Sequence, residues 1–318
     1  MAIRMNRVKP MSYCAFSLLI ILSHSSILLK AQNKTFPVLH GKYLGQNPPG
    51  DTPIVFAKDI ISTAFYEHSA PTFSPDGKTI LWTILERGKP AQLLEIAMHG
   101  DTWSKSSLPS FADSSYDDFY PFFSPDGSKL FFSSRRPLPT GSPVGDMRLW
   151  VVEHINNTWG KPEPLDSSVT RGFEYAHSVS EKGNLFFSAR EIIHEKPTWK
   201  IYYSNLINGK YSEPKALDSS INNGAYVDGP YVSPDEKFLI FESDREGGIG
   251  SVDLYICFKK KDGKWAAPKN MGEKINSPFA ERFAGVSPDG KYLFFGSNRN
   301  GDLPDIYWID ASVIAKQN

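Results

Sequence analysis

Cysteine is scarce: the 318 residues hold two, Cys14 and Cys257. Cys14 falls within a leader read below as cleaved, so the mature chain keeps one thiol and no intramolecular disulfide. Such a fold must close by packing and hydrogen bonding. Net charge is absent as well. Lys plus Arg and Asp plus Glu stand at 35 each, which offers no basic stripe for nucleic acid and no polybasic patch for a membrane surface. Long apolar runs are missing beyond residue 30. Catalytic signatures are missing too: no G-x-S-x-G elbow, no H-E-x-x-H or Cys cluster for zinc, and no phosphate-cradling G-x-x-x-x-G-K-[ST] loop.

What is present begins with an address. Arg4, Arg7 and Lys9 precede the apolar run Cys14–Leu29, and Lys30-Ala31-Gln32 follows it. A basic start, a short apolar core and a small residue describe a secretory signal peptide. Ser23, His24, Ser25 and Ser26 interrupt the run, and a retained anchor needs about 20 mostly apolar residues. Residues 1–31 are therefore read as a cleaved signal, 32–50 as an N-terminal extension and 51–318 as one domain, periplasmic or secreted, without a stable membrane span.

That domain is repetitive. Ser74-Pro75-Asp76-Gly77 recurs as Ser124-Pro125-Asp126-Gly127, Ser180-Glu181-Lys182-Gly183, Ser233-Pro234-Asp235-Glu236 and Ser287-Pro288-Asp289-Gly290, in steps of 50 to 56 residues. Proline presets φ for a type I turn, aspartate suits the next position, and glycine relieves the left-handed one. The third and fourth copies lack parts of this chemistry and predict weaker turns. An apolar strand follows every turn: TILWTI, KLFFSS, NLFFSA, FLIFES and YLFFGS. Near-continuous apolarity marks strands covered on both faces. A third strand comes next (AQLLEIA, MRLWVV, KIYYS, DLYIC, DIYWI), then a polar segment carrying Pro162, Pro214 or Pro268 in three units. Proline belongs at a sheet edge.

Four strands per unit of about 50 residues is the arithmetic of an all-β propeller with antiparallel blades. The spacing predicts five blades, with a degenerate sixth as the alternative. The fifth unit reaches only its third strand, and Thr52–Lys58 (TPIVFAK) supplies the missing outer one. The N-terminal strand would close the ring and remove its exposed edges.

Turn, strand end and third strand together resemble the WD40-like repeat of the TolB-type propellers. The matching residues are Asp76-Gly77-Lys78 and Asp289-Gly290-Lys291, Ser243-Asp244-Arg245 and Ser297-Asn298-Arg299, and Asp253-Leu254-Tyr255 and Asp305-Ile306-Tyr307. The resemblance covers roughly residues 50 to 310 and implies an extracytoplasmic propeller. The repeats leave no room here for the separate N-terminal domain of TolB, so a role in the Tol system is not carried over.

Candidate site residues cluster before the innermost strands, where a channel would open. They are Glu67, His68, Asp117, Asp118, Glu174, Tyr175, His177, Tyr226, Asp228, Glu281 and Arg282. Pointing inward, they would form an acidic mouth able to take a protein, peptide or glycan, or calcium; no other cofactor is expected. Taken singly, each carboxylate reads better as a loop cap. Paired carboxylates could run glycoside hydrolysis, yet a fold confers no activity by itself, and the reading favours a monomeric binding module over a glycan hydrolase or lyase. Arg87, Arg136, Arg190, Arg245 and Arg299 follow the second strands, and pairing with Asp146, Asp253 or Asp305 is expected to be structural. Trp199 and His194, in the long loop expected over Glu191–Lys200, are the aromatic residues least tied to packing between blades, and Arg136–Asp146 reads as a similarly long loop on the same type of connection.

Overall fold

The repeated turn forms because each of its residues has a task. The Ser74 hydroxyl donates to Asp76 Oδ1 (2.6 Å) and accepts the Thr79 backbone N–H (2.9 Å). Gly77 sits at φ 71° and returns its N–H to Ser74 O (2.7 Å). Ser124, Ser233 and Ser287 repeat the pattern. Glu236 occupies the left-handed position in the fourth copy at φ 57°, where a side chain costs free energy. Its buried carboxylate offsets that cost by accepting from Ser180 Oγ (2.9 Å), Asn184 Nδ2 (2.7 Å) and Lys259 Nζ (2.6 Å). Ser180 and Asn184 belong to the degenerate third turn, so the two irregular copies brace each other.

A computed structural model describes residues 36–139, 145–156, 158–170, 173–301 and 303–317. The chain divides into Met1–Pro37 and Val38–Asn318; the leader lies outside the described residues. Five antiparallel sheets make a five-bladed propeller. Each blade runs outward from an inner strand: Thr72–Phe73 (with Tyr66–Glu67), Asp118–Phe123, Glu174–Val179, Val227–Val232 and Glu281–Val286. The apolar second strands follow as Thr79–Leu85, Lys129–Ser134, Leu185–Ile193, Phe238–Ser243 and Tyr292–Ser297. The third strands are Gln92–His99, Arg148–Ile155, Lys196–Ser204, Asp253–Phe258 and Asp305–Asp310. Outer strands are only two residues long, for example Lys215–Ala216 and Lys269–Asn270.

The fifth blade takes its outer strand from the start of the domain. Ile54 pairs with Trp308 and Val55 with Tyr307. Beneath this seam Tyr43 packs edge-on against Phe73 and Tyr292 (centroids 5.8 and 5.0 Å) and donates to Asp289 Oδ1 (2.7 Å). Phe56, Phe294 and Trp308, all fully buried, complete the contact. Among the described residues no helix is long and apolar enough to cross a membrane.

The stretch Glu191–Lys200 differs from the loop its composition suggested. The second and third strands of blade 3 stay paired from Leu185↔Ser204 out to Ile193↔Lys196, and His194 and Glu195 turn the chain at φ 50° and 64°. Positive φ at both central residues is the hairpin turn that matches strand twist. The corresponding stretch in blade 2, 136–146, includes residues 140–144, outside the described residues.

Candidate functional site

Inner strands enter the channel with a kink. Register slips between Phe119 and Phe122, Glu174 and His177, Asp228 and Tyr231, and Arg282 and Gly285. Tyr120, Gly229 and Phe283, at the same place in three of these bulges, take φ 53°, 60° and 49°. Bulges re-aim side chains. Here Tyr120, Ala176 and Phe283 pack with Phe119 and Tyr175 in the middle of the molecule, and the His68 ring joins Phe119, Tyr120 and Phe283 at 5.2–5.3 Å. The channel is plugged by aromatic rings.

Most of the acidic side chains lie among protein donors. Asp118 is buried and pairs with Arg136 (Oδ2–Nη2 2.6 Å). Glu281, fully buried, accepts from Ser277 Oγ, Ser297 Oγ and Arg299 Nη2 at 2.6, 2.7 and 3.1 Å. Glu67 Oε1 accepts the N–H and hydroxyl of Thr63 (3.0 and 2.7 Å). Glu174 is buried at the matching place in blade 3. Asp117 stays partly exposed, accepting the Ala91 N–H (2.8 Å) beside Arg135 (3.3 Å). Burial pushes Asp118 up to about 6 against the pull of Arg136, and Glu67 up to about 7.

Two of the arginines that end the second strands pair with a carboxylate of the inner strand rather than with Asp253 or Asp305. Arg136 and Arg299 donate Nε to Ser134 Oγ and Ser297 Oγ (both 3.0 Å) and reach Asp118 and Glu281. In blade 4 Val227 replaces the carboxylate, and Arg245 turns to the carbonyls of Ser220 and Ile221 (3.1 and 2.6 Å). Asp253 instead holds the Gly250 N–H and Asn270 Nδ2 (2.9 and 2.8 Å).

Blade 4 carries the electrostatic exception. The equivalent position of the five second strands is Thr83, Ser133, Ser188, Glu242 or Gly296 around the ring, and its side chain, where there is one, meets the neighbouring inner strand. Thr83 Oγ1 accepts the Tyr120 N–H (3.0 Å), Ser133 donates to Tyr175 O (3.0 Å), Ser188 donates to Asp228 Oδ1, and Glu242 Oε2 accepts the Phe283 N–H (2.7 Å). Asp228 and Glu242 stand opposite each other in register, with 3% and 0% exposure. Both approach the Tyr226 hydroxyl, at 3.0 and 2.6 Å, and Arg282 Nη1 donates to the same oxygen (2.8 Å). A phenol has one proton to give. Two buried carboxylates around it therefore titrate as a pair, beside the Arg282 guanidinium. Burial drives Glu242 up to about 7 and raises Asp228 in the same direction. Burial weakens the charged form of Arg282, but Glu242, Tyr226, Tyr66 and Asp228 around it together outweigh that and hold it protonated.

The reachable side of this cluster is aromatic and cationic. Tyr175 lies 6.4 Å from Trp199, Trp199 5.8 Å from Tyr226, and the Arg282 guanidinium 5.0 Å over Tyr226. The row continues to Tyr66 and His68, which border a 250 Å³ pocket with Arg282. At the opposite end a 610 Å³ cavity opens where Pro75, Pro125, Pro234 and Pro288 of the turns converge around Phe122 and Tyr231. His177 borders that second cavity, away from the mouth, and burial lowers it to about 4. His194 sits at the exposed hairpin tip. Among the described residues no group of three or more His, Cys, Asp or Glu converges as metal ligands.

Glu242, Tyr66 and the turn-side cavity were missed from the sequence. Glu242 left a signal: it is the one charge at a position that is otherwise Thr, Ser or Gly. The cavity left none, because its walls come from all round the ring.

No family model and no curated protein matches the chain. Solved structures do. A protein described as a TolB from Agrobacterium tumefaciens is 23% identical over 72% of this chain and 69% of its own, at a TM-score of 0.48. TolB from Acinetobacter baumannii is 16% identical (TM-score 0.48), covering 77% of this chain, which spans 52% of that one. An α-L-arabinofuranosidase from Lactobacillus brevis is 10% identical at a TM-score of 0.50, over 76% of this chain and 92% of its own. At 10% identity, what the chain shares with the arabinofuranosidase is the β-propeller fold.

Proposed function

We propose that the chain is a non-enzymatic propeller acting outside the cytoplasm, and that it presents the Tyr175–Trp199–Tyr226–Arg282 row to a protein, peptide or glycan. One observation carries this reading: Asp118, Glu174, Asp228, Glu242 and Glu281 are all 3% exposed or less, whereas the Arg282 side chain is 32% exposed. Reachable rings and a guanidinium bind by stacking, cation–π contact and hydrogen bonds. Asp118 and Glu281 are taken up by protein donors instead. Export rests on the leader and on the repeat resemblance.

The test is a screen of residues 32–318 against a glycan array, a peptide library and calcium, with an Arg282→Ala/Trp199→Ala double variant as control. Ligand binding weakened at least tenfold in the variant supports the mouth. Calcium binding that survives the variant would point elsewhere.

A second reading has its own support. Asp228 and Glu242 approach one hydroxyl, so their carboxyls lie within about 6 Å, near the separation of retaining glycosidases. Turnover of a bound glycan that Glu242→Gln abolishes while the variant still folds and binds that glycan would replace binding with hydrolysis.

A further inference from the structure

The seam between the last and first blades is built differently from the other four. Gly296 stands where the other blades carry Thr83, Ser133, Ser188 and Glu242, so no side chain bridges blade 5 to blade 1 at that height. The gap is the 250 Å³ pocket, bordered by Tyr66, Glu67, His68, Arg282, Gly296 and Asn298 among others. Glu67 is 1% exposed. Thr63 occupies its Oε1, while Oε2 has no hydrogen-bond partner, and neither has Nδ1 of the adjacent His68. Buried polar atoms are normally satisfied, so a carboxylate oxygen without a donor beside a small pocket marks a place for one. Arg282 supplies donors on the same wall, which disfavours a bare cation. The combination suits a positive group bonded next to an acceptor oxygen.

We propose that this seam pocket binds an α-ammonium group together with its neighbouring carbonyl, the ammonium donating to Glu67 Oε2 and the carbonyl oxygen accepting from Arg282. A peptide N-terminus and a free amino acid both carry that head. The proposal rests on the mouth being a binding surface and names the ligand chemistry at its blade 1 end. A peptide entering this way would continue over Tyr226 towards Trp199.

The probes are a library of tetrapeptides X-Ala-Ala-Ala with free N-termini, the same library N-acetylated, and L-alanine, each titrated calorimetrically into residues 32–318. Binding of the free library, weakened at least tenfold by acetylation and by Glu67→Gln, is expected. Gly296→Thr, which fills the gap, should weaken it equally. A Cβ at Gly296 meets only the Arg282 carbonyl oxygen at 3.6 Å, an ordinary contact, and Thr83 holds the same position in blade 1, so this variant should melt like the parent. L-alanine binding as tightly as the peptides assigns the site to free amino acids; binding of the peptides alone assigns it to chain termini. Equal binding of the acetylated library, or no binding of either library or of L-alanine, overturns the proposal. Acetylated peptides or glycans that bind and respond to Arg282→Ala/Trp199→Ala but not to Gly296→Thr would leave the mouth standing without it.

Discussion

At the scale of single residues, charge placed inside the molecule decides behaviour. Glu242 is raised to about 7 by burial, so the fold favours its protonated form. The stability it contributes is fully present below the ordinary carboxylate value near 4.5 and is lost as pH rises through about 7. His177, lowered to about 4 by burial, acts oppositely. Its contribution is present above about 6.5 and is lost as pH falls towards 4. Glu242→Gln removes one titration and relaxes Asp228, so the fall in Tm between pH 5 and pH 8 should be smaller than in the parent. Parallel melting curves at both pH values would refute that electrostatic account. Glu236 gives a second prediction. Replacing it with alanine leaves Lys259 and Asn184 without their shared acceptor, at a cost of about 1–3 kcal/mol. Urea titration measures this, and an unchanged midpoint would mean that the tie between the third and fourth turns contributes nothing.

At the scale of the strand, the repeat is a device for burying aromatic side chains between blades. Phe132 and Phe294 sit at 0% exposure in second strands flanked by neighbouring blades. Truncating either to alanine should destabilise by about 3–5 kcal/mol; a negligible shift in Tm would show that these strands are not core. The Ser-x-Arg strand end has an equally local logic. The serine hydroxyl accepts the arginine N–H and Nε, which swings the guanidinium over the strand's own rings: Arg136 lies 5.0 Å over Phe132 and Arg299 5.3 Å over Phe295. Turns, strands and strand ends were legible because their determinants lie within a few residues of one another. The Arg partners were not, because Asp118 and Glu281 come from the inner strand, 18 residues away in each case.

For the whole molecule, closure is the decisive contact. Ile54 and Val55 complete a sheet whose other strands lie some 230 to 250 residues later, and the backbone N–H of Phe56 and the Ser62 hydroxyl both reach Ile306 O (2.7 and 3.3 Å). Deleting residues 33–58 would leave Asp305–Asp310 as an open edge of a hydrophobic sheet, which invites association. Lower Tm and concentration-dependent light scattering are expected of the truncated chain. A monomer with the parent's melting temperature would refute the closure.

The sequence by itself determined the class, the number of blades, the turns and the closing strand. Each follows from local patterns of turn chemistry and apolarity repeated five times, and repetition makes even weak local signals add. It also pointed to the carboxylates of the inner strands, which the fold places near the mouth. Only the tertiary structure decided which of them are reachable. That depends on bulges that swing Tyr120 and Phe283 into the channel, and on side chains such as Glu242 and Gly296 meeting a neighbouring blade. The arrangement departs from symmetry at single positions, and a departure acquires meaning only when the ring sets it against residues distant in the chain.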